Sequence, residues 1–495
     1  MFLKRKKKII NLFDTIAEML NVLKNLSNPS LYIADCLEAI GAIHYQLLME
    51  KKVPQKTIEN LQVFQSVLNK YNSQINHIDD IAVTNVIDKL NRLKEIFEEE
   101  VVTQLNIVFF PYKVTMWDSL ESVYKAAEAD EDCVTHVVPI PYYQLSQNEV
   151  IPTYEGDRFP KDIPVTHYSQ YNLEEQEPDI IFVHNIYDNY NTITRVFEQY
   201  FTSNLKKYTD MLVYIPYHTP HFMFQEEDRR SLGYSIPSVK NVDRIIFANE
   251  MVKKAAIEDG VPKEKLLVLG SPKLDSMVKA LKGEISIPED WNGRIEGKTV
   301  YLINTGCLFF ANNPFLKLER LIDIFNIPRY VQDSVVIWRP HPLTEISIKK
   351  YKPNFLEYYY DLTTRINNNE NSSFSNVIFD ETDDYIPALT VADVLITTDG
   401  SLLRSYLLTE KKVIFWDDNK WKGSKLPNSI LDSNVFYYAF DNSKPWYRLA
   451  EEFSRGQDEL ASHRKGMAAK AYVNIDGTAG EKIHSTIKKC VMDLI

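Results

Sequence analysis

Cysteine is scarce in this 495-residue chain: Cys36, Cys133, Cys307 and Cys490 stand far apart, with no C-x-x-C pair. Such spacing excludes a zinc ribbon and a disulfide framework, and it points to a reduced, cytoplasmic setting. No apolar run approaches the roughly 20 residues that span a bilayer. The opening MFLKRKKKII lacks the apolar core and cleavage site of an export signal. Beyond the first ten residues Lys and Arg are nowhere concentrated, and the net charge is −12. No nucleic acid partner is therefore expected. Three signatures are missing as well: GxxxxGK[ST], HExxH and GxSxG. Their absence removes support for phosphate-loop ATP hydrolysis, zinc proteolysis and elbow-type esterase action.

What is present describes a globular protein of two or three domains, with 44% hydrophobic and 25% charged residues. Residues 8 to 100 keep a helical apolar period. Ile9, Phe13, Ile16, Leu20 and Leu23 share one stripe, and similar stripes run through 31–50, 56–70 and 80–99. Breaks fall at SNPS, KKVPQK and NHIDD. This region, 1–103, holds no cluster of catalytic residue types and reads as a bundle for docking or homo-oligomer formation. Lys4, Arg5, Lys6, Lys7 and Lys8 precede it in a row. The row suits a solvated terminus, or peripheral contact with an anionic membrane surface.

At QLNIVFFPY the pattern changes to short β runs alternating with helices. THVVPIPYY, PDIIFVHN, MLVYIPYHTP, DRIIFAN and EKLLVLG follow; a second set starts at KTVYLINTG and continues through SVVIWRPHP, NVIFDE, ADVLITTDG and KKVIFW. Strand–helix–strand units at this spacing predict parallel sheets. In SVVIWRPHP, Val335, Val336, Ile337 and Trp338 suit a strand buried on both faces, whereas Pro340 and Pro342 offer no amide to continue it. The expected fold class is α/β: a GT-B-like pair of doubly wound, Rossmann-like domains facing a cleft, preceded by an all-α region. The expected domains are 1–103, 104–277 for the acceptor and 278–475 for the donor nucleotide. By analogy with GT-B proteins, a helix in 476–495 crosses back to the first domain.

In such folds ligands sit just past the carboxyl ends of strands, so polar residues there are the candidates. In VLITTDGS the strand end meets Thr398, Asp399, Gly400 and Ser401 at a helix start, a pattern that suits phosphate. Gly400 permits close backbone approach and Ser401 adds a hydroxyl, while Asp399 suits a cap or a ligand hydroxyl. Plain N-capping is the alternative. LINTG places Asn304, Thr305 and Gly306 at a further turn. In the first domain IIFVHNIYD brings His184, Asn185 and Asp188 to a strand end, either to read an acceptor's hydroxyls or simply to turn. FFPYKVTMWDS offers Lys113 and Trp117 to an acceptor, with Asp118 or Ser119 as caps.

From about 105 to 460 the order of motifs resembles the CDP-glycerol glycerophosphotransferases, which extend teichoic-acid-type polymers. The residues that carry it are GSPKLD (270–275), RPHP (339–342) and ADVLITTDGSLLRSYLL (392–408) before KKVIFW. The resemblance implies a transferase acting on a CDP-polyol or other nucleotide-activated donor and a polyol-phosphate or glycan acceptor, with no cofactor and no required metal. It implies that Arg339 offers a planar fork to phosphate oxygens, and that His341 hydrogen-bonds or protonates the leaving phosphate. The family's His-Gly-Thr-Pro stretch, carrying the general base, matches His218, Thr219 and Pro220 if the glycine is deleted. His221 is the alternative base. At Leu402 and Ser405 the chain departs from the family, which has a second serine and an acidic residue there, and Arg404 adds a cation. That departure leaves open a nucleotide-sugar donor, or a non-catalytic nucleotide-binding scaffold.

Overall fold

The apolar stripe of the first hundred residues closes into a four-helix bundle. The structure, a computed structural model, describes all residues except 24–28, 74–79, 147–148, 219–235, 284–285, 369–373, 399, 417–434, 439–445 and 494–495. Helices α1 (Leu3–Val22), α2 (Pro29–Leu48), α3 (Gln55–Ser73) and α4 (Asp80–Glu100) pack each on the next, and α1 on α4. Ile9, Phe13, Ile16, Leu20 and Leu23 are all buried, and Phe13 meets Phe97 edge to face at 5.7 Å. Helices of this length are marginal alone; the shared core holds them. Among the described residues no helix is long and apolar enough to cross a membrane.

The start of α1 ties the bundle to the α/β region. The Leu3 N–H donates to the Gln104 carbonyl at 3.0 Å, and the Gln104 N–H donates to the Met1 carbonyl at 2.8 Å. Lys6 is buried, and its ammonium donates to the carbonyls of Glu98 (3.1 Å) and Val101 (2.6 Å), acceptors left over where α4 ends. Lys4 donates to the Tyr208 carbonyl, and Lys8 pairs with Glu177 at 2.9 Å. Three of the five cations are thus committed to the protein itself. The row of Lys4, Arg5, Lys6, Lys7 and Lys8 is divided, because a helical period turns some of its residues toward the protein.

The first α/β unit contains β1 (Leu105–Phe110), β2 (Cys133–Val137), β3 (Tyr142–Leu145), β4 (Val150–Thr153), β5 (Ile180–Val183), β6 (Thr194–Val196), β7 (Met211–Tyr214), β8 (Arg244–Phe247) and β9 (Leu266–Val268). Six of these form a parallel sheet in the order β2-β1-β5-β7-β8-β9; β4-β3-β6 is a separate antiparallel sheet. The second unit has β10 (Thr299–Thr305), β11 (Ser334–Pro340), β12 (Val377–Phe379), β13 (Val394–Thr397), β14 (Lys412–Phe415) and β15 (Tyr437–Tyr438), in the order β12-β11-β10-β13-β14-β15. Both parallel sheets reverse direction of growth beside their first strand. At that point adjacent connections diverge to opposite faces and leave a crevice.

GSPKLD begins the linker helix Pro272–Leu281 and explains itself residue by residue. Gly270 has φ +103°, and a Cβ there would stand 2.7 Å from the Cβ of Ala479. Asp275 accepts from the N–H of Ala479 (3.1 Å), the N–H of Gly480 (2.8 Å) and the hydroxyl of Ser122 (2.9 Å). It thereby caps the last helix, Ala479–Met492, which buries Ile483, Ile487 and Val491 against the first unit and packs on α5 (Asp118–Glu128). At Gly480 the two helices approach so closely that a Cβ would lie 2.4 Å from Ser122 backbone.

Candidate active site

Three strands of the second unit end side by side. Asn304 on β10 is in register with Arg339 on β11 and with Thr397 on β13, astride the reversal point. Its amide nitrogen donates to the Arg339 carbonyl at 3.1 Å, which locks the edge. Beyond these ends lies a cavity of about 540 Å³, bounded by both units and the linker.

Arg339 lines that cavity but is buried, and most of its fork is occupied. Nη1 donates to Asp380 Oδ2 at 2.5 Å and to Thr382 Oγ1 at 3.0 Å; Nη2 donates to the Thr382 carbonyl at 2.7 Å. This corrects the expectation of an open guanidinium fork: three of about five N–H donors serve the protein. A buried guanidinium must find a carboxylate, and residue 380, just past β12, is the nearest strand end.

His341 also lines the cavity. Its Nδ1 accepts from the Leu343 N–H at 3.0 Å, so the ring proton resides on Nε2. Burial pushes the imidazole down to about 4, with further lowering from the charges of Lys113, Lys273 and Arg339. Of the two expected roles, the hydrogen-bonding one suits this ring, which is neutral and presents an Nε2–H donor. His184 is driven down to about 3, chiefly by burial. Between pH 6.5 and 4 the unfolded chain binds protons at both histidines that the folded chain refuses. Stability is thus full above about pH 6.5 and falls as pH drops toward 4. Thermal melts from pH 7 to 4.5 are expected to show that decline, and His341→Asn and His184→Asn each to flatten it. An unchanged slope in both variants would contradict the neutral assignment.

The first unit contributes His218, at the end of the segment that follows β7, with Tyr217 and Tyr187 beside it. The rings of Tyr217 and His218 lie 5.0 Å apart. Asn304, Gly306, Thr398, Gly400, Ser401 and Arg404 line the same space. Gly400 is extended (φ −168°), and nothing lies within 4 Å of where a Cβ would stand. Asp399 and His221 lie outside the described residues, as do Thr219 and Pro220.

Other expected residues are placed elsewhere. Thr305 is core-facing, its hydroxyl accepting from the Trp338 indole at 3.4 Å. His184 is fully buried: Nε2 accepts from the Tyr112 N–H at 3.1 Å, and Nδ1 faces the Met116 carbonyl and Ser119 Oγ. Asp188 accepts from the N–H (3.0 Å) and hydroxyl (2.8 Å) of Thr202; Asn185 accepts from the Tyr187 N–H at 2.9 Å in a local turn. Lys113 is buried against Glu155 Oε1 (2.9 Å) and the Tyr142 hydroxyl (3.0 Å). Trp117 packs against Tyr124 and Phe159 and borders a second cavity, of about 670 Å³, instead. Each of these polar groups already has a partner inside its own unit: Lys113 in Tyr142 of β3 and Glu155, His184 in the turn that follows β1, Asn185 and Asp188 in the segments that follow β5, and Thr305 in Trp338 of β11.

Two wall residues were not anticipated. Lys273 pairs with Asp118 at 2.8 Å, and Tyr385 donates its hydroxyl to the same carboxylate. Lys273 was visible within GSPKLD as a cation in a linker; Tyr385 had no sequence signal. Asp383 and Asp384 serve the protein: the first pairs with Arg158, the second accepts from the Ile386 N–H. With Lys317, the described lining of the 540 Å³ cavity holds the cations Lys273, Lys317, Arg339 and Arg404, two imidazoles and no carboxylate.

No family model and no curated protein matches the chain. Solved structures match by fold. The wall teichoic acid polymerase TagF aligns with a TM-score of 0.51 at 14% identity, covering 86% of this chain and 98% of that one. MnaA of S. aureus, solved with UDP, gives 0.50 at 13%, covering 79% and 98%. A UDP-N-acetylglucosamine 2-epimerase gives 0.50 at 12%, covering 79% and 97%. The architecture is thus the GT-B one, two doubly wound units across a cleft, with a helical region in front.

Proposed function

We propose that the protein is a GT-B transferase that moves a glycerol phosphate, or a similar polyol phosphate, from a CDP-activated donor to a hydroxyl acceptor in cell-surface polymer synthesis, releasing CMP. The observation that carries this reading is the set of donors that line the cavity, two of whose cations are balanced from behind by Asp380 and Asp118. In a chain of net charge −12, four cations and two imidazoles converge on one space whose described lining has no carboxylate. A nucleotide diphosphate is the ligand chemistry that such a wall suits.

The acceptor hydroxyl attacks the β-phosphorus, the bond from that phosphorus to the bridging oxygen breaks, and CMP departs with the bridging oxygen. The hydroxyl proton passes to His218. His341, neutral, donates an Nε2–H hydrogen bond to the developing charge on CMP, and the remaining donors of Arg339 assist. Asn304, Thr398, Gly400 and Ser401 form the donor's bed at the reversal point.

A nucleotide-sugar donor, attacked at its anomeric carbon, is the second reading. It is favoured by Leu402 and Arg404, which line the cavity where the chain departs from the family's pattern. Incubation with CDP-glycerol, CDP-ribitol and UDP-sugars, followed by mass analysis of the released nucleotide, separates the two. CMP release is expected; UDP release would favour the sugar, and no release from any donor would end both.

A further inference from the structure

Lys273 occupies an unusual position for a lysine. It is 3% exposed, yet lines the cation-rich cavity from the linker between the units. Of the ammonium's three N–H groups, one donates to Asp118 Oδ2 at 2.8 Å. Among the described residues it makes no second hydrogen bond. The ammonium also stands 4.5 Å from the centre of the Tyr385 ring, and the Tyr385 hydroxyl donates to the same Asp118 oxygen. A carboxylate and a π face therefore hold the charge in place, leaving two donors for something else.

The three groups belong to three parts of the chain: α5 of the first unit, the linker helix, and the segment after β12 in the second unit. They meet only when the units are closed on each other. The strand ends of the second unit lie at the reversal point, where a nucleotide and its first phosphate are expected. Lys273 reaches the same cavity from the linker helix between the units and not from those strand ends. His341 lies within reach of its field, since the Lys273 charge helps to hold that imidazole neutral.

We propose that Lys273 is the cation that receives the second phosphate of a nucleotide diphosphate, and that Asp118 and Tyr385 are positioning residues that hold it there in the closed arrangement. The inference rests on the nucleotide-diphosphate reading above and adds which side chain distinguishes diphosphate from monophosphate.

Calorimetric titration of the full-length protein with CDP, CMP, UDP and UMP tests it. The wild type is expected to bind the diphosphate of the preferred base more tightly than its monophosphate. In Lys273→Met that advantage should shrink by about 10- to 100-fold, with monophosphate affinity changed less than about threefold. Lys273→Arg should restore most of it. Asp118→Asn, which keeps the shape but loosens the ammonium, should lose several-fold of the diphosphate advantage, and it carries the test if Lys273→Met does not fold. Equal losses for both nucleotides, or no loss for either, would overturn the role of Lys273. Failure of the wild type to bind any of the four would instead overturn the nucleotide reading.

Discussion

Replacing His218 by glutamine is expected to slow nucleotide monophosphate release by about 10²- to 10⁴-fold while leaving nucleotide affinity within a few-fold of the wild type. His218 comes from the first unit and lines the same cavity as the strand-end residues of the second unit. A general base removes the proton in the transition state and adds little to ground-state binding, so the loss should appear in kcat and spare KM for the donor. Glutamine keeps the polar volume and cannot accept a proton at neutral pH. Parallel single-turnover and binding measurements make the comparison. Intact turnover would remove His218 from the chemistry and leave the fold assignment untouched.

The second large effect concerns stability. Asp380→Ala is expected to destabilise the protein by about 3–5 kcal/mol, because it strands a buried guanidinium. Arg339 is 4% exposed, and its carboxylate partner lies 2.5 Å away on the neighbouring strand end. The double replacement Arg339→Met with Asp380→Leu should recover most of that loss, since a well-packed apolar pair needs no compensation, yet it should still weaken nucleotide binding. Urea denaturation of the single and double variants measures the first effect, and nucleotide titration the second. A cost below about 1 kcal/mol for Asp380→Ala would mean that water reaches the guanidinium.

Much of the architecture was legible because it depends on local pattern. β1, β5, β7, β8, β10, β11 and β13 are short apolar runs bounded by turn residues, and each lies where the residues predict a strand. The stripe from Ile9 to Leu23 is buried throughout. Arg404, a turn into the following helix, was singled out only by its departure from the family's pattern. His218, Arg339, His341, Asn304, Gly306, Thr398, Gly400 and Ser401 line the cavity as expected from one rule, that polar residues just past a parallel strand face the crevice. The same rule misplaced Lys113, His184, Asn185 and Asp188. Their unit carries the β3, β4 and β6 insertion, whose Tyr142 and Glu155 come from segments with no motif of their own. Lys113 and His184 are taken up by partners 29 to 72 positions away, while Asn185 and Asp188 turn back on their own loop and on Thr202.

Arg339 shows the division most sharply. That a cation stands at the end of β11 follows from the sequence; that Asp380 and Thr382 occupy most of its donors does not, because a guanidinium's partner depends on which strand ends adjoin. By itself the sequence determined the helical front, the two alternating sets of strands and the polar residues at their ends, since these follow from side-chain periodicity and backbone chemistry over a few residues. Only the tertiary structure decided which strand ends share a cavity, which charges are already neutralised, that His341 is neutral, and that Lys273, Asp118 and Tyr385 meet. Those outcomes turn on distance and lost water between segments up to 267 positions apart, and no local pattern encodes either.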